Sequence, residues 1–323
     1  MNGTLPSPAA PLRIGTRGSP LALAQARETR DRLAAAFDLP EEAFDIVVIR
    51  TTGDDRALIA ADRPLKDLGG KGLFTKEIEE AMLAGGIDIA VHSMKDMPVA
   101  QPPGLVLDCY LPREDVRDAF ISDRHDGIDA LPPGAVVGTS SLRRRAQLLH
   151  RRPDLQVVEF RGNVQTRLKK LRDGVAQCSF LAMAGLNRLG LARGPDGVPA
   201  HPIAPEQMLP AVAQGAIGIE RRAGDTGVAA MLEAIHDHET GLRLAAERAF
   251  LATLDGSCET PIAGLAELEG GTLRLRGEVL RPDGSEALSD ARSAAAEDGA
   301  ALGEAIARDL LARAGAGFFD WRR

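Results

Sequence analysis

Short apolar runs at residues 12–16, 46–49, 87–91 and 104–109 alternate with helical periodicity over 20–36 and 75–84, and this βαβ rhythm restricts the chain more than any other feature. It predicts an α/β domain around a mainly parallel sheet. Ser19-Pro20 suits a helix opening, because a serine hydroxyl caps free N–H groups and proline fits the first helical position. The rhythm restarts at 118–122 and passes through Val136, Val157 and Phe180 to about Leu191, so a second domain of the same kind is expected. After Thr240 the pattern changes to a helix as far as Leu254, strand-like runs near Leu265, Leu275 and Leu288, and a closing helix over 299–314. That stretch predicts a small α+β domain. The Gly/Pro-rich segment 194–210 reads as a connection, and 215–220 as one further strand returning to the first sheet. The expected boundaries are 1–113 with 215–236, then 114–214, then 237–323.

Within that frame, two arginine clusters lie about one helix apart in a chain of net charge -7. The first is Gly138-Thr139-Ser140-Ser141-Leu142-Arg143-Arg144-Arg145, where an apolar run ends and a helix begins beside three hydroxyls. The second is Phe160-Arg161-Gly162-Asn163, the turn into a helix that carries Arg167. In open α/β sheets ligands sit at the carboxyl ends of strands, where helix N-termini offer free N–H groups. Arginine keeps its charge at any working pH and grips carboxylate or phosphate through a planar fork. Several converging arginines therefore imply a small ligand with several anionic groups; the plainer alternative is a solvated basic helix face. Arg17 and Arg188, each after an apolar run, repeat the theme.

Composition narrows the classes further. At 323 residues, 44% hydrophobic and 26% charged, the chain is long enough for two or three domains with substantial cores. It contains no apolar stretch of bilayer-spanning length, and residues 1–11 lack the basic start and hydrophobic centre of a signal peptide, so a cytoplasmic protein is expected. Acidic balance with one Trp and one Tyr argues against nucleic-acid binding. Three widely spaced cysteines make neither a disulfide framework nor a zinc knuckle. Cys109 and Cys178 lie in apolar runs and read as inert. Cys258, in the turn-forming Asp255-Gly256-Ser257-Cys258-Glu259-Thr260-Pro261, is the candidate for covalent attachment or catalysis, and spacing does not say which.

Lys95 and Asp96 follow the run 87–91 and become a candidate anion binder and acid/base at a strand end. His92, closing that run, reads as structural rather than as a base. Gly69-Gly70-Lys71-Gly72-Leu73-Phe74 lacks the spacing and hydroxyl of a phosphate-binding loop and suits a flap bringing Lys71 and Phe74 over a ligand. His236-Asp237-His238-Glu239 reads as a polar helix boundary, with no further ligand cluster for a metal.

Taken in order, Thr16-Arg17-Gly18-Ser19-Pro20, Gly70-Lys71-Gly72-Leu73-Phe74, Val91-His92-Ser93-Met94-Lys95-Asp96, Gly138-Thr139-Ser140-Ser141-Leu142-Arg143-Arg144, Arg161-Gly162-Asn163-Val164-Gln165-Thr166-Arg167, Gly185-Leu186-Asn187-Arg188 and Gly256-Ser257-Cys258 closely resemble the porphobilinogen deaminase (hydroxymethylbilane synthase) family, over about residues 12–320. The resemblance implies two domains like those of periplasmic binding proteins and a small α+β third. It implies a transferase of porphyrin and haem biosynthesis. This joins four porphobilinogen molecules head to tail into the linear tetrapyrrole 1-hydroxymethylbilane, releasing ammonia through azafulvene electrophiles.

It also implies a dipyrromethane cofactor in thioether linkage to Cys258, and Asp96 as the catalytic carboxylate. Cofactor contacts would come from Arg17, Ser19, Lys95, Asp96, Thr139, Ser140, Ser141, Arg143, Arg144, Arg161, Gly162 and Arg167. Substrate contacts would come from Arg17, Lys71, Phe74, Arg161, Arg167, Arg188 and Gln214. No metal is implied, and a monomer is expected. Segment 54–67 is longer than in common bacterial members, and Gln177-Cys178 stands where Asp-Ala is usual. The rival readings are a non-catalytic two-lobed binding module for anionic small molecules, and an arginine-rich nucleic-acid binder whose affinity falls steeply with salt.

Overall fold

The computed structural model describes residues 5–52, 75–256, 260–315 and 317–322. The flap segment 54–67, Lys71, Phe74 and Cys258 lie outside the described residues. Among those described, the strands in chain order are β1 (Leu12–Thr16), β2 (Phe44–Val48), β3 (Ile89–Ser93), β4 (Leu105–Tyr110), β5 (Asp118–Ile121), β6 (Val136–Gly138), β7 (Gln156–Val158), β8 (Cys178–Ala182), β9 (Ala200–Pro202), β10 (Ile217–Arg222), β11 (Ile262–Glu269), β12 (Thr272–Leu280) and β13 (Ala287–Ala295). They fall into two compact units. Of the described residues, the first holds 5–52, 75–114 and 216–241, and the second holds 115–215 and those from 242 onward.

The sheet of the first unit has the order β2-β1-β3-β10-β4. β1 is parallel to both β2 and β3, whereas β10 runs antiparallel between β3 and β4. The further strand expected at 215–220 does return to this sheet. The α/β character is as expected; β10 makes the sheet mixed, because the chain re-enters from the far end. The helix Pro20–Phe37 follows β1 directly: Ser19 Oγ accepts the Ala22 N–H at 3.2 Å and Pro20 opens the first turn. It ends at Asp38, whose left-handed φ of 51° stops the ladder. Its inner face places Ala26 and Leu33 in a core with Ile14, Ile89, Ile217 and Ile219.

The second unit repeats the plan. Its five-stranded sheet has the order β7-β6-β8-β5-β9, with β6 parallel to β7 and β8, and β5 antiparallel between β8 and β9. β9 lies inside the segment read as a plain connection. It pairs only with β5 and contains Pro202, which lacks an N–H and is tolerated at a sheet edge. Three residues with a proline carry no alternating pattern, so nothing local announced this strand.

The third sheet, β11-β12-β13, is an antiparallel meander. The helix Gly299–Arg313 lies against it and buries Leu302, Ile306 and Leu310, one residue per turn along one face. Phe250 of the helix His238–Thr253 is fully buried beneath the same sheet, a burial worth about 1.5–3 kcal/mol. The two helices meet at Gly303, where a Cβ would lie 2.2 Å from the Ala246 carbonyl oxygen and 2.9 Å from the Phe250 nitrogen. Backbone cannot yield there as a side chain could. Gly303→Ala is expected to lower the unfolding free energy of this unit by about 1–3 kcal/mol in denaturant titration. Gly315→Ala, with open space around the added methyl, is the control expected to change little.

Candidate functional site

In the first unit, the ends of β1 and β3 meet over a concavity of about 450 Å³, its open mouth included. Arg17 and Ser19 line it from the turn after β1, Leu21, Ala22 and Gln25 from the helix that follows, and Thr75 from beside the next helix. Val91, His92 and Ser93 come from β3, and Asp96 and Met97 from the tight turn after it. These are the strand-end positions the sequence pointed to. Lys95 is half-buried beside Asp96 but does not form the wall.

Asp96 is half-buried and makes no hydrogen bond or ion pair with any described residue. Ser19 accepts the Ala22 N–H as the helix cap, which leaves its own O–H to donate. Gln25 and Ser93 had not been singled out; the Gln25 Nε2 donates to Ser93 Oγ at 2.8 Å across the wall. A glutamine among the apolar positions of an amphipathic helix was the available signal.

In the second unit the three hydroxyls before the arginine helix Leu142–Arg151 are all engaged as acceptors. Thr139 Oγ1 takes the Ser141 N–H at 3.2 Å, Ser140 Oγ the Phe160 N–H at 2.9 Å, and Ser141 Oγ caps the helix at the Arg144 N–H at 3.4 Å. Each still has a hydrogen to give. Gly162 adopts φ 113°, a conformation that favours glycine, and a Cβ there would lie 2.6 Å from the Thr166 side chain. The turn so formed presents its carbonyl to Arg167 Nε at 2.9 Å.

Arg143 and Arg144, expected among the cofactor contacts, have protein partners of their own. They are 4% and 6% exposed, and both close on Asp118, which is fully buried at the start of β5. Arg143 Nη2 lies 2.8 Å from one carboxylate oxygen, and Arg144 Nη2 2.7 Å from the other. Arg143 also donates to the Leu209 carbonyl at 2.8 Å and Arg144 to that of Phe180 at 3.0 Å. Gln214 is buried as well, donating to Asp118 Oδ1 at 3.1 Å and to the Val116 carbonyl at 2.8 Å. Asp118 was missed in the sequence, although an aspartate opening an apolar strand demands a cation.

Burial alone would raise the Asp118 carboxyl, but the charges of Arg143 and Arg144 overturn this and hold it at about 2. Arg167 donates to the Phe180 carbonyl at 3.3 Å, so its partners among the described residues are carbonyls rather than carboxylates. Desolvation, then the charge of Arg144, pulls its guanidinium down to about 10. Arg161 is half-buried and makes no hydrogen bond or ion pair with any described residue. Arg188 directs both terminal nitrogens to the Gly215 carbonyl at 3.2 Å. Guanidinium outnumbers carboxylate around Asp118, and this donor set fits the acetate and propionate groups that a dipyrromethane carries. Cys109 and Cys178 are buried, with desolvation pushing each thiol up to about 12, as suits inert cysteines. His236 accepts the Tyr110 N–H through Nδ1 at 3.1 Å. Among the described residues no helix is long and apolar enough to cross a membrane.

A family model described as "Porphobilinogen deaminase, dipyromethane cofactor binding domain" matches residues 12–230, and one described as "Porphobilinogen deaminase, C-terminal domain" matches 242–312. The porphobilinogen deaminase of Paracoccus denitrificans is 67% identical over 317 residues, which cover 98% of this chain and 99% of that protein. That of Nitrobacter hamburgensis is 54% identical, covering 95% and 94%, and the chloroplastic one of Pisum sativum is 53% identical, covering 96% and 83%. Among solved structures, a periplasmic binding protein of Salmonella typhimurium is a distant likeness, 12% identical at a TM-score of 0.40 over 71% of this chain and 92% of its own.

A carboxyl held below its ordinary value stabilises the folded state above that ordinary value and loses the contribution as the pH falls. For Asp118 the interval runs from 3.8 down to about 2 and corresponds to about 2 kcal/mol. Unfolding free energies measured across it are expected to fall by that amount. In Asp118→Asn this part of the acid dependence disappears, and two buried guanidinium groups without their anion lower stability at neutral pH by about 3–5 kcal/mol.

Proposed function

Because this chain belongs to the porphobilinogen deaminase (hydroxymethylbilane synthase) family, we propose that Asp96 is the carboxylate at which its chemistry occurs. The family's activity is the head-to-tail joining of four porphobilinogen molecules into 1-hydroxymethylbilane with release of ammonia, in tetrapyrrole biosynthesis, and its cofactor is dipyrromethane. The non-catalytic binding module has no support beside that membership. One observation carries the assignment to Asp96: a carboxylate without a described partner shares the wall of a strand-end pocket with Arg17.

The bound dipyrromethane supplies the nucleophilic terminal pyrrole carbon on which the chain is extended. Arg17 binds a side-chain carboxylate and so fixes the ring beside Asp96. There the carboxylate stabilises positive charge developing at a pyrrole N–H and takes part in moving its proton. Ser19, Thr139, Ser140 and Ser141 donate their remaining hydroxyl hydrogens. Arg161 and Arg167 bind further carboxylates, Arg167 being held ready by carbonyls that do not neutralise it. Arg143 and Arg144, tied to Asp118, act by the surplus positive charge of their cluster, and Gln214 keeps the shared carboxylate in place. Lys95 and Arg188 complete the set of cations. For the residues not described, Cys258 is proposed as the thioether anchor, Lys71 as part of the flap, and Phe74 as packing on a pyrrole. We further propose three working domains, with 237–323 bearing the cofactor, in a cytoplasmic monomer that does not bind nucleic acid.

Intact masses of the wild type and Cys258→Ser test the cofactor: only the wild type should carry two linked porphobilinogen units and colour with a dipyrromethane reagent. Asp96→Asn should keep that added mass while turnover of porphobilinogen falls by about 10²–10⁴-fold. Near-wild-type turnover would remove Asp96 from the chemistry.

A further inference from the structure

Glu247 is a fully buried acid that takes no part in the assignments above. It belongs to the helix His238–Thr253, and both its oxygens accept backbone N–H groups: Oε1 that of Ala266 at 2.7 Å, Oε2 that of Ala213 at 2.6 Å. Among the described strands β11 pairs with β12 alone, so alternate N–H groups point away from its sheet. The Gly264 N–H goes to the Pro210 carbonyl at 3.0 Å, and the Ala266 N–H to Glu247. The carboxyl group therefore completes the edge along which segment 210–213 lies beside β11.

Ala213 is held in a conformation that costs energy. Its φ is 61°, and among the described residues the other non-glycine positions with positive φ are aspartates, whose side chains bond locally and offset the cost. The buried methyl of Ala213 offers no such compensation, so its neighbours must hold the turn in place. Two contacts depend on that turn. Gln214 sends its amide to Asp118 Oδ1 at 3.1 Å and to the Val116 carbonyl at 2.8 Å. Gly215, at φ 90°, presents the carbonyl that receives both terminal nitrogens of Arg188 at 3.2 Å.

We propose that Glu247 is a positioning residue for porphobilinogen binding: by clamping Ala213 to β11 it fixes the turn from which Gln214 reaches Asp118 and Gly215 orients Arg188. The inference rests on the reading of Arg188 as a cation for the substrate's carboxylates. Glu247 acts through the 213–215 backbone rather than on the substrate. A glutamine in its place cannot do the same, because one N–H would face an amide NH2 and stay unpaired in the interior. The turn then relaxes and Arg188 loses the carbonyl that aims it, so the loss falls on substrate binding and leaves the dipyrromethane in place.

The test is kcat and KM for porphobilinogen in the cofactor-bearing wild type, Glu247→Gln, Arg188→Ala and, as a measure of lost stability alone, Gly303→Ala. In Glu247→Gln, KM should rise about 10-fold with kcat within about threefold of wild type, the split expected when binding alone is weakened. Its intact mass should still show two linked porphobilinogen units. Gly303→Ala, which crowds the same helix at the neighbouring Ala246, should keep the wild-type KM. An unchanged KM in Glu247→Gln, a fall in kcat alone, or loss of the added mass from folded protein would overturn the role, as would an equal rise of KM in Gly303→Ala. Should Glu247→Gln fail to fold, Glu247→Asp decides by the same split, because a carboxyl one methylene shorter cannot span both N–H groups. Adding Ala213→Gly to it removes the cost of the left-handed residue and should bring KM back by about threefold or more. A wild-type KM in Glu247→Asp, or no recovery with Ala213→Gly, would overturn the role. Arg188→Ala keeps the two readings apart. A wild-type KM there would remove Arg188 from substrate binding and this inference with it, whereas a raised KM there beside a wild-type KM in Glu247→Gln would remove the inference alone.

Discussion

Asp118 is the constraint to which the second unit is built. A carboxylate with no exposure holds two guanidinium groups of one helix, so β5, the helix Leu142–Arg151 and the chain at Leu209 and Gln214 must arrive at one point. Hydrophobic packing is tolerant of small shifts, but this cluster is not, because each buried charge that misses its partner costs several kcal/mol. The same bonds that order the unit also leave it with more guanidinium than carboxylate. Arg167 shares the Phe180 carbonyl with Arg144 and feels its charge, and Arg161 stands without a described partner. A structural requirement and an excess of positive charge thus come from one arrangement.

Both five-stranded sheets solve the same problem in the same way. Three parallel strands in the order second, first, third are followed by an antiparallel strand and then an edge strand. In each case the antiparallel strand is supplied from outside the local βαβ run: β10 enters the first sheet late, and β5 opens the second before its own run begins. The parallel strands deliver their carboxyl ends, and the residues after them, to one edge of each sheet. Arg17 and Asp96 occupy that edge in the first unit, and Thr139, Ser140 and Ser141 in the second. The antiparallel strand of the first sheet has a further effect, since it brings Glu220 to His92 across 128 positions of sequence.

The two kinds of charge in the molecule are handled differently. Asp118 is neutralised internally and serves stability, and its carboxyl is pinned low by the arginines that enclose it. Asp96 is left half-buried and makes no hydrogen bond or ion pair among the described residues, which suits the role proposed for it. Cysteines divide in the same manner: Cys109 and Cys178 are sealed in apolar surroundings where the thiolate is disfavoured.

The sequence by itself determined the strand and helix order apart from β9, the strand-end positions of Arg17, Asp96 and the hydroxyl run, and the family, because these depend on local periodicity and on contiguous motifs. It marked the cap at Ser19 and the helix after Ser141 for the same reason. Tertiary structure alone decided which cations are already answered. Arg143 and Arg144 read as open ligand-binding groups until Asp118, 25 and 26 positions earlier, is folded against them. β9 was invisible because an edge strand of three residues takes its stability from pairing with β5 and not from its own pattern. His92 read as a strand-closing histidine, and only the register of β3 with β10 gives it an acidic partner. Periodicity reports which face of an element is buried; it cannot report what waits across the interface, since that partner is chosen by chain segments distant in sequence and close only once folded.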